Sequence, residues 1–253
     1  MDVGPVSQGA DSRSREALPF SATTNTRFME RTGSSVNWHT NVMPATTLCA
    51  LDFFSHEVWL ADSPWYLAGG TALALQVGHR NSEDLDFFTT EKSFPTQDVL
   101  QHLSAPDWNS DIVRDGTIWG RYKEAKVSFI SAPFFIPKAT KLKYGNISVL
   151  DARDIAVMKI VAMSQRGRKR DFLDLYWYAN HAEPLIEVIR RLPEQYPGVA
   201  HDYHHILKSM LYFVDAENDP MPPLHFKTDW KAIKEYFKKE VPKIAKELVG
   251  LRD

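Results

Sequence analysis

Cysteine and long apolar runs are what this chain has least of. Its 253 residues include one cysteine, Cys49, and no apolar stretch near the ~20 residues that a membrane span requires. A lone cysteine leaves no intramolecular disulfide and fits a reducing compartment. The N-terminus has no apolar h-region, so neither a spanning helix nor secretion is expected. The chain reads as cytoplasmic, with no membrane partner. Charge of one sign is scarce as well. Thirty Lys and Arg stand against 32 Asp and Glu, a net charge of −2. No global basic field draws nucleic acid, and any RNA contact has to come from a local patch. What remains is ordinary for a folded soluble protein: 43% hydrophobic and 25% charged residues, enough for one large or two small domains with a sizeable core.

Residues 1–42 are rich in Ser, Thr, Gly and Asn, with scattered Arg and no sustained apolar period. Such a composition buries too little surface to offset the entropy of ordering. A disordered leader is expected there, or an upstream extension with Met43 as the working start. From Ala45 the pattern turns structured. Leu48, Leu51, Phe54 and Val58 recur at helical spacing, and Pro64 ends the run. Trp65 to Ala68 reads as a short strand, Thr71 to Val77 as a helix, Leu85 to Phe88 as a strand and Thr96 to Leu103 as a helix behind Pro95. Two more strands are expected, around Ile112 and over Lys126 to Ile130. From about residue 150 the periodicity is helical, with Leu185, Val188, Ile189 and Leu192 marking one helix and Trp230, Ile233, Phe237 and Val241 the last. Ile206 to Phe213 reads as another, and Pro220, Pro222 and Pro223 as a stiff connection. The expected fold is α+β: a core with a mixed sheet over residues 45–148, followed by a mostly helical C-terminal domain over residues 149–253.

The most informative stretch is residues 69–88, GGTALALQVGHRNSEDLDFF. Residues two apart on a strand share a face. Asp84 and Asp86 therefore aim at one spot, while Leu85, Phe87 and Phe88 are apolar enough to hold the strand in a core. Two carboxylates on one face repel unless a cation sits between them. Magnesium, often held by one or two carboxylates plus substrate phosphates, suits the pair. Gly69 and Gly70 let a backbone approach a phosphate closely, and Thr71, if it begins a helix, adds an N-terminus that favours negative charge. Each element alone has a plain reading, since Gly pairs mark ordinary turns and an Asp-x-Asp is often a solvated edge. Here the acids lie inside an apolar run, where unpaired carboxylates are costly. In this order the two elements point to phosphoryl or nucleotidyl transfer.

Further along, Asp151 suits an N-cap, with Asp154 as a capping-box-like acid in the first turn of a helix that stops at Gly167. Ile155, Met158, Ile160, Val161 and Ala162 form its buried side. Lys159 interrupts that stretch, and a lysine there commonly snorkels to solvent. Arg166, Arg168, Lys169 and Arg170 precede a helix over Asp171 to Ala179, either as a solvated connection or as a phosphate-capture patch. Asp171 and Asp174 share a helix face. Asp171 can cap that helix, and Asp174 can pair with Arg170 or Lys169. His201 and His205 lie four apart with no paired Cys or carboxylate, so an exposed helix face is expected rather than a metal site.

These runs together resemble a known family. GGTALAL…GHRNSEDLDFF is similar to the first motif of the AbiEii/AbiGii toxin family of nucleotidyltransferases, which belongs to the DNA polymerase β-like superfamily. Its members are the toxin halves of type IV toxin–antitoxin and abortive-infection systems. Asp154 to Lys159 resembles the family's D-I-x-x-x-K element, and Arg166 to Tyr176 its basic-then-DFxDLY element. Tyr212 to Glu217, with Pro220 and Pro222, resembles a later one, so the likeness spans about residues 45–240.

The resemblance implies a polymerase β-like core and a magnesium-dependent nucleotidyltransferase. Asp84 and Asp86 would be catalytic metal ligands. Gly69, Gly70, Thr71, Arg80 and Lys159 would hold the triphosphate of an NTP, Asp171 would be a further catalytic residue facing the cleft, and His79 would pack the loop. It also implies an RNA acceptor, the 3′ end of a tRNA, and a cognate antitoxin protein or antitoxin gene regulator as partner. One position departs from the broad superfamily. Many of its enzymes carry a third carboxylate on the strand that here holds Ser128, which neither binds metal well nor takes a proton. The general base is then unassigned: Asp171 or Asp174 would take over, or a second metal would be held loosely. Two other classes stay open: a nucleotidyltransferase acting on a small molecule such as an aminoglycoside, and a non-catalytic nucleotide-binding relative.

Overall fold

Pro44 has no N–H to lose at a helix start, and it stands at the N-cap of α1 (Ala45–His56), its carbonyl accepting from the Leu48 N–H at 2.9 Å. The computed structural model describes Met1 and residues 36–103 and 106–250. The leader expected over residues 1–42 falls for the most part outside the described residues. Its last residues fall within them and pack: Val42 is buried, its carbonyl accepts from the Ser82 N–H at 3.1 Å, and the His39 N–H donates to the Leu75 carbonyl at 2.8 Å. α1 ends earlier than Pro64. Glu57 turns extended, a 3-10 turn (Val58–Leu60) follows, and Val58, expected on the apolar side, is exposed. Helical spacing carries no information past a residue that leaves helical dihedrals.

The strands are β1 (Tyr66–Ala68), β2 (Leu85–Thr89), β3 (Trp108–Arg114), β4 (Thr117–Tyr122), β5 (Ala125–Ser131), β6 (Leu142–Tyr144) and β7 (Ile147–Val149). They form one sheet in the order β3-β4-β5-β2-β1-β7-β6. β2 runs antiparallel to β1 and parallel to β5, so the sheet is mixed. α2 (Gly69–Val77) joins β1 to β2, and α3 (Thr96–His102) follows β2. The sequence reading missed β4, β6 and β7. β6 and β7 have three residues each, too few for a period to register.

Register between β2 and β5 sets the geometry of the acids. Asp86 stands opposite Ser128, and Phe87 opposite Phe129. The Phe87 and Phe129 rings stack with centroids 4.9 Å apart, and Phe54 of α1 closes on them at 5.2 and 6.0 Å. All three are fully buried, and each such burial contributes about 1.5–3 kcal/mol. A slip of one residue would turn Asp86 into this cluster. The aromatic face therefore holds the acid on the opposite one.

After the sheet the chain is helical: α4 (Ala152–Gln165), α5 (Lys169–His181), α6 (Leu185–Arg190), α7 (Leu192–Gln195), α8 (Tyr203–Ser209), α9 (Val214–Glu217) and α10 (Trp230–Val249). The whole is an α+β fold. Among the described residues no helix is long and apolar enough to cross a membrane. Gln76 of α2 is buried, donates to the Leu150 carbonyl at 2.9 Å and accepts from the Ala152 N–H at 3.0 Å, which ties the start of α4 to α2. Asp151 caps α4 as expected, accepting from the Arg153 N–H at 2.9 Å. Asp154 does not complete a capping box. Its carboxylate accepts from the backbone N–H groups of Lys138 at 2.7 Å and Ala139 at 3.0 Å, and from Gln195, and so holds a distant loop. Of the expected buried side of α4, Ile155 and Ile160 are buried, whereas Met158, Val161 and Ala162 are half-buried and line a cavity.

Candidate active site

A cavity of about 390 Å³ has walls from several separate parts of the chain: the start of α2, the region of β2, the end of β5, the facing sides of α4 and α5, and Tyr196. Gly69, Gly70, Asp84, Asp86, Lys159 and Arg170 all line it. Strand alternation accounts for the acids. Leu85 and Phe87 are buried on one side of β2, and Asp84, Asp86 and Phe88 reach the cavity from the other.

The two acids have different surroundings. Asp86 accepts from the Ser128 hydroxyl at 2.7 Å through Oδ1. Burial pushes its carboxyl up from the usual range, the Ser128 hydrogen bond opposes this, and the charge of Asp84 adds to the rise. Asp84 is about a third exposed, and its Oδ2 lies 3.2 Å from Nη1 of Arg170. A cation between the two acids would relieve what burial and mutual repulsion impose on Asp86. The donors are all carboxylate oxygens, a set that fits magnesium completed by phosphate and water. Among the described residues no group of three or more His, Cys, Asp or Glu gathers as a metal site.

The glycine turn is shaped by its neighbours. Gly69 has φ +75°, and a β-carbon there would meet Oδ2 of Asp86 at 3.0 Å. At Gly70 a β-carbon would come within 2.3 Å of Nη2 of Arg80. α2 begins at Gly69, two residues earlier than expected, so Thr71 is its third residue rather than its first, and its hydroxyl is already engaged. It donates to the Asp84 carbonyl and shares a hydrogen bond with the Ser82 hydroxyl at 2.8 Å, tying the acid-bearing loop to α2.

Beneath the cavity wall lies a buried charge network centred on Asp174. Arg80 donates to it from Nε at 2.6 Å and Nη2 at 2.9 Å and His79 from Nε2 at 2.8 Å, and Lys159 Nζ forms an ion pair with its Oδ2 at 2.7 Å. Lys159 also donates to Oδ1 of Asp171 at 2.8 Å. Two cations thus balance two carboxylates. Burial by itself would raise the Asp174 carboxyl, but Arg80 and Lys159, with the hydrogen bonds from His79 and Arg80, outweigh it and hold it well below the usual carboxylate range. Burial pulls His79 below its ordinary value in spite of Asp174. A neutral ring whose Nε2–H donates to Asp174 leaves Nδ1 bare, and Nδ1 has no partner.

Several expectations change on this geometry. Lys159 does not snorkel; it is buried between two acids. Asp174 pairs with Arg80, His79 and Lys159 rather than with Arg170 or Lys169. Asp171 does not cap α5, whose N-cap is Arg168; it is fully buried, its Oδ2 facing Arg166 Nε at 3.6 Å without a hydrogen bond. Arg80 lines the cavity while doubly bound to Asp174. The basic cluster divides. Arg166 and Arg170 line the cavity, whereas Arg168 pairs with Asp219 at 2.6 Å and Lys169 donates to the Glu217 carbonyl at 3.1 Å. The proline-rich connection docks on the loop that carries Arg80, with the Asn81 N–H donating to the Pro223 carbonyl at 2.9 Å. His201 and His205 bond the carbonyls of Tyr196 and Ser164 at 3.1 and 3.0 Å. Ser82, Gln165 and Tyr196 also line the cavity, and sequence reasoning did not single them out. Tyr196 lies after α7, in a segment with no signal of function in its own composition.

Residues 60–118 and 111–248 match the model of the family described as Nucleotidyl transferase AbiEii toxin, Type IV TA system. An uncharacterized protein of Aquifex aeolicus (strain VF5) is 33% identical over 183 residues, which covers 70% of this chain and 86% of that protein. Similar solved structures include a putative nucleotidyltransferase from H. pylori, 20% identical, with 83% of this chain and 99% of that one covered and a TM-score of 0.49. Another is MenT4, a nucleotidyltransferase toxin from Mycobacterium tuberculosis H37Rv, 16% identical, with 80% and 86% covered and a TM-score of 0.47.

Proposed function

The chain belongs to the AbiEii family of nucleotidyl transferase toxins of type IV toxin–antitoxin systems, and from that premise we propose a magnesium-dependent transfer of a nucleoside monophosphate from an NTP to RNA, at the 3′ end of a tRNA in the cytoplasm. The chain is an enzyme, a nucleotidyltransferase, and its family implies an antitoxin as partner. One observation carries the finer reading: Asp84 and Asp86 share a cavity wall with the Gly69–Gly70 turn, Arg80 and Lys159.

In this reading Asp84 and Asp86 hold magnesium. When bound, the ion neutralises phosphate charge and polarises the reacting phosphoryl group. Gly69 and Gly70 present the start of α2 to the triphosphate. Lys159 has three ammonium donors, gives one to Asp171 and is ion-paired with Asp174, which leaves donor capacity for a phosphate. Arg80, fixed by Asp174, presents a rigid cationic edge on the same wall. The acceptor oxygen bonds to the α-phosphorus as the bond to pyrophosphate breaks, and pyrophosphate leaves with the electron pair. Asp171 and Asp174 are buried and paired with cations, so they orient Lys159 and Arg80, and the hydroxyl proton passes to cavity water.

The test is label transfer. Protein, magnesium and each α-labelled NTP in turn are mixed with total tRNA, beside an Asp84→Asn/Asp86→Asn control. Label in the tRNA band that the control lacks is the expected result. Absence of label with every NTP would sink the RNA reading and turn attention to small acceptors such as aminoglycosides. In cells, expression should arrest growth, and Asp84→Ala should not.

A further inference from the structure

An in-line displacement needs the attacking oxygen and the leaving group on opposite sides of the phosphorus. Sheet order assigns those sides. β2, which carries Asp86, stands between β1 and β5. β1 runs directly into Gly69 and Gly70, so pyrophosphate departs on that flank. The acceptor then arrives from the β5 flank. There Ser128 faces Asp86, and Ile130 and Ser131 continue along the cavity wall.

The cavity does not end on that flank. Val161, Gln165 and Tyr196 line it and equally line a second cavity of about 570 Å³, bounded by α4 and the chain from Leu192 to Ile206. Phe134, just past the end of β5, lines this second cavity with 61% of its surface exposed, and Val199 with 40%. An aromatic ring left open beside a reaction site offers a stacking face to any base. Cations for a phosphate backbone lie close by. Arg166 lines the catalytic cavity and also a third one that holds Lys208, whose side chain is exposed.

We propose that the second cavity, between Phe134 and Val199, receives the terminal base of a single-stranded RNA 3′ end. It thereby presents the ribose hydroxyl to the Asp84–Asp86 wall. The hydroxyl oxygen forms the new bond to the α-phosphorus, its proton passes to water, and pyrophosphate leaves with the electron pair. This subsite rests on the RNA reading above. A small acceptor would have no need of an aromatic platform so far along the groove.

The test is fluorescence anisotropy with a short labelled single-stranded RNA, with magnesium–NTP binding followed by calorimetry on the same samples. Phe134→Ala removes the stacking face, and Val199→Glu puts charge and bulk into the groove. Both positions are exposed, and thermal melting identifies folded variants. Each should weaken RNA binding on the order of tenfold and leave NTP affinity unchanged. The control Val58→Glu, at an exposed site outside both cavities, should bind RNA as the parent does. Parent-like RNA binding by both folded variants overturns the subsite and leaves the RNA acceptor standing. Equal losses of RNA and NTP binding overturn it as well. No RNA binding by the parent protein overturns the subsite and the RNA reading together.

Discussion

Arg80 and Asp174 meet fork to fork, Nε to Oδ1 at 2.6 Å and Nη2 to Oδ2 at 2.9 Å, across 94 residues of chain and almost wholly out of water. A buried pair of this kind costs most when one partner is removed, because the other charge is left without compensation. Asp174→Asn strands Arg80 and takes from Lys159 one of its two acidic partners. It should lower stability by about 3–5 kcal/mol in urea unfolding. The double variant Arg80→Met/Asp174→Leu should lose much less. Equal losses in the single and double variants would mean that packing, not charge, is at stake.

His79 sets a second expectation, in pH. Its folded value is depressed by burial, so the unfolded chain takes up a proton near pH ~6.5 that the folded chain refuses. The contribution of His79 is complete above that pH and is lost as pH falls toward the folded value. Urea midpoints should therefore decline as pH drops from about 6.5 to 5, and His79→Gln, which keeps a donor but does not titrate, should flatten the decline. An unchanged slope in His79→Gln would remove His79 from the account. Asp174 acts in a lower window. Its depressed value adds stability above about pH 3.9 that is lost as pH falls below.

Gly70→Ala tests whether the turn exists to seat Arg80. The added carbon would fall 2.3 Å from Nη2, and Arg80 cannot swing aside without leaving Asp174. Stability should drop by about 1–3 kcal/mol, and the KM for NTP should rise as Arg80 leaves the wall. A parent-like KM in Gly70→Ala would separate Arg80 from nucleotide binding.

Arg170 Nη1 lies 3.2 Å from Oδ2 of Asp84, so under the proposed reading it would compete with a metal there. Exposed pairs of this type are worth about 0.2–1 kcal/mol. Arg170→Gln should therefore tighten Mn²⁺ binding without nucleotide by no more than about fivefold, as read by electron paramagnetic resonance. Asp84→Asn should abolish that binding, and chelation should stop label transfer by the parent. Weaker Mn²⁺ binding in Arg170→Gln would contradict the competition.

Much of the site was legible before any coordinates. The Asp84–Asp86 pair, the glycine turn, the Asp151 cap and the strand around Ser128 all stand where short-range rules put them. Ser128 lies directly opposite Asp86 and donates to it. Other positions misled. Lys159 reads as a snorkelling lysine because its helix says nothing of the two acids waiting on α5. Asp154 reads as a capping acid because the Lys138–Ala139 loop that it anchors lies outside its own helix.

The sequence by itself determined what depends on a few consecutive residues. Alternation turns Asp84 and Asp86 to one side, apolar spacing marks the core helices, and two glycines permit a close approach, since backbone geometry alone dictates these. Only the tertiary structure decided which charge neutralises which. Asp174 belongs to Arg80, His79 and Lys159, Arg170 to Asp84, and Arg168 to Asp219. A buried charge must find its counterion wherever packing brings one, and helix packing across nearly a hundred residues leaves no trace in local spacing.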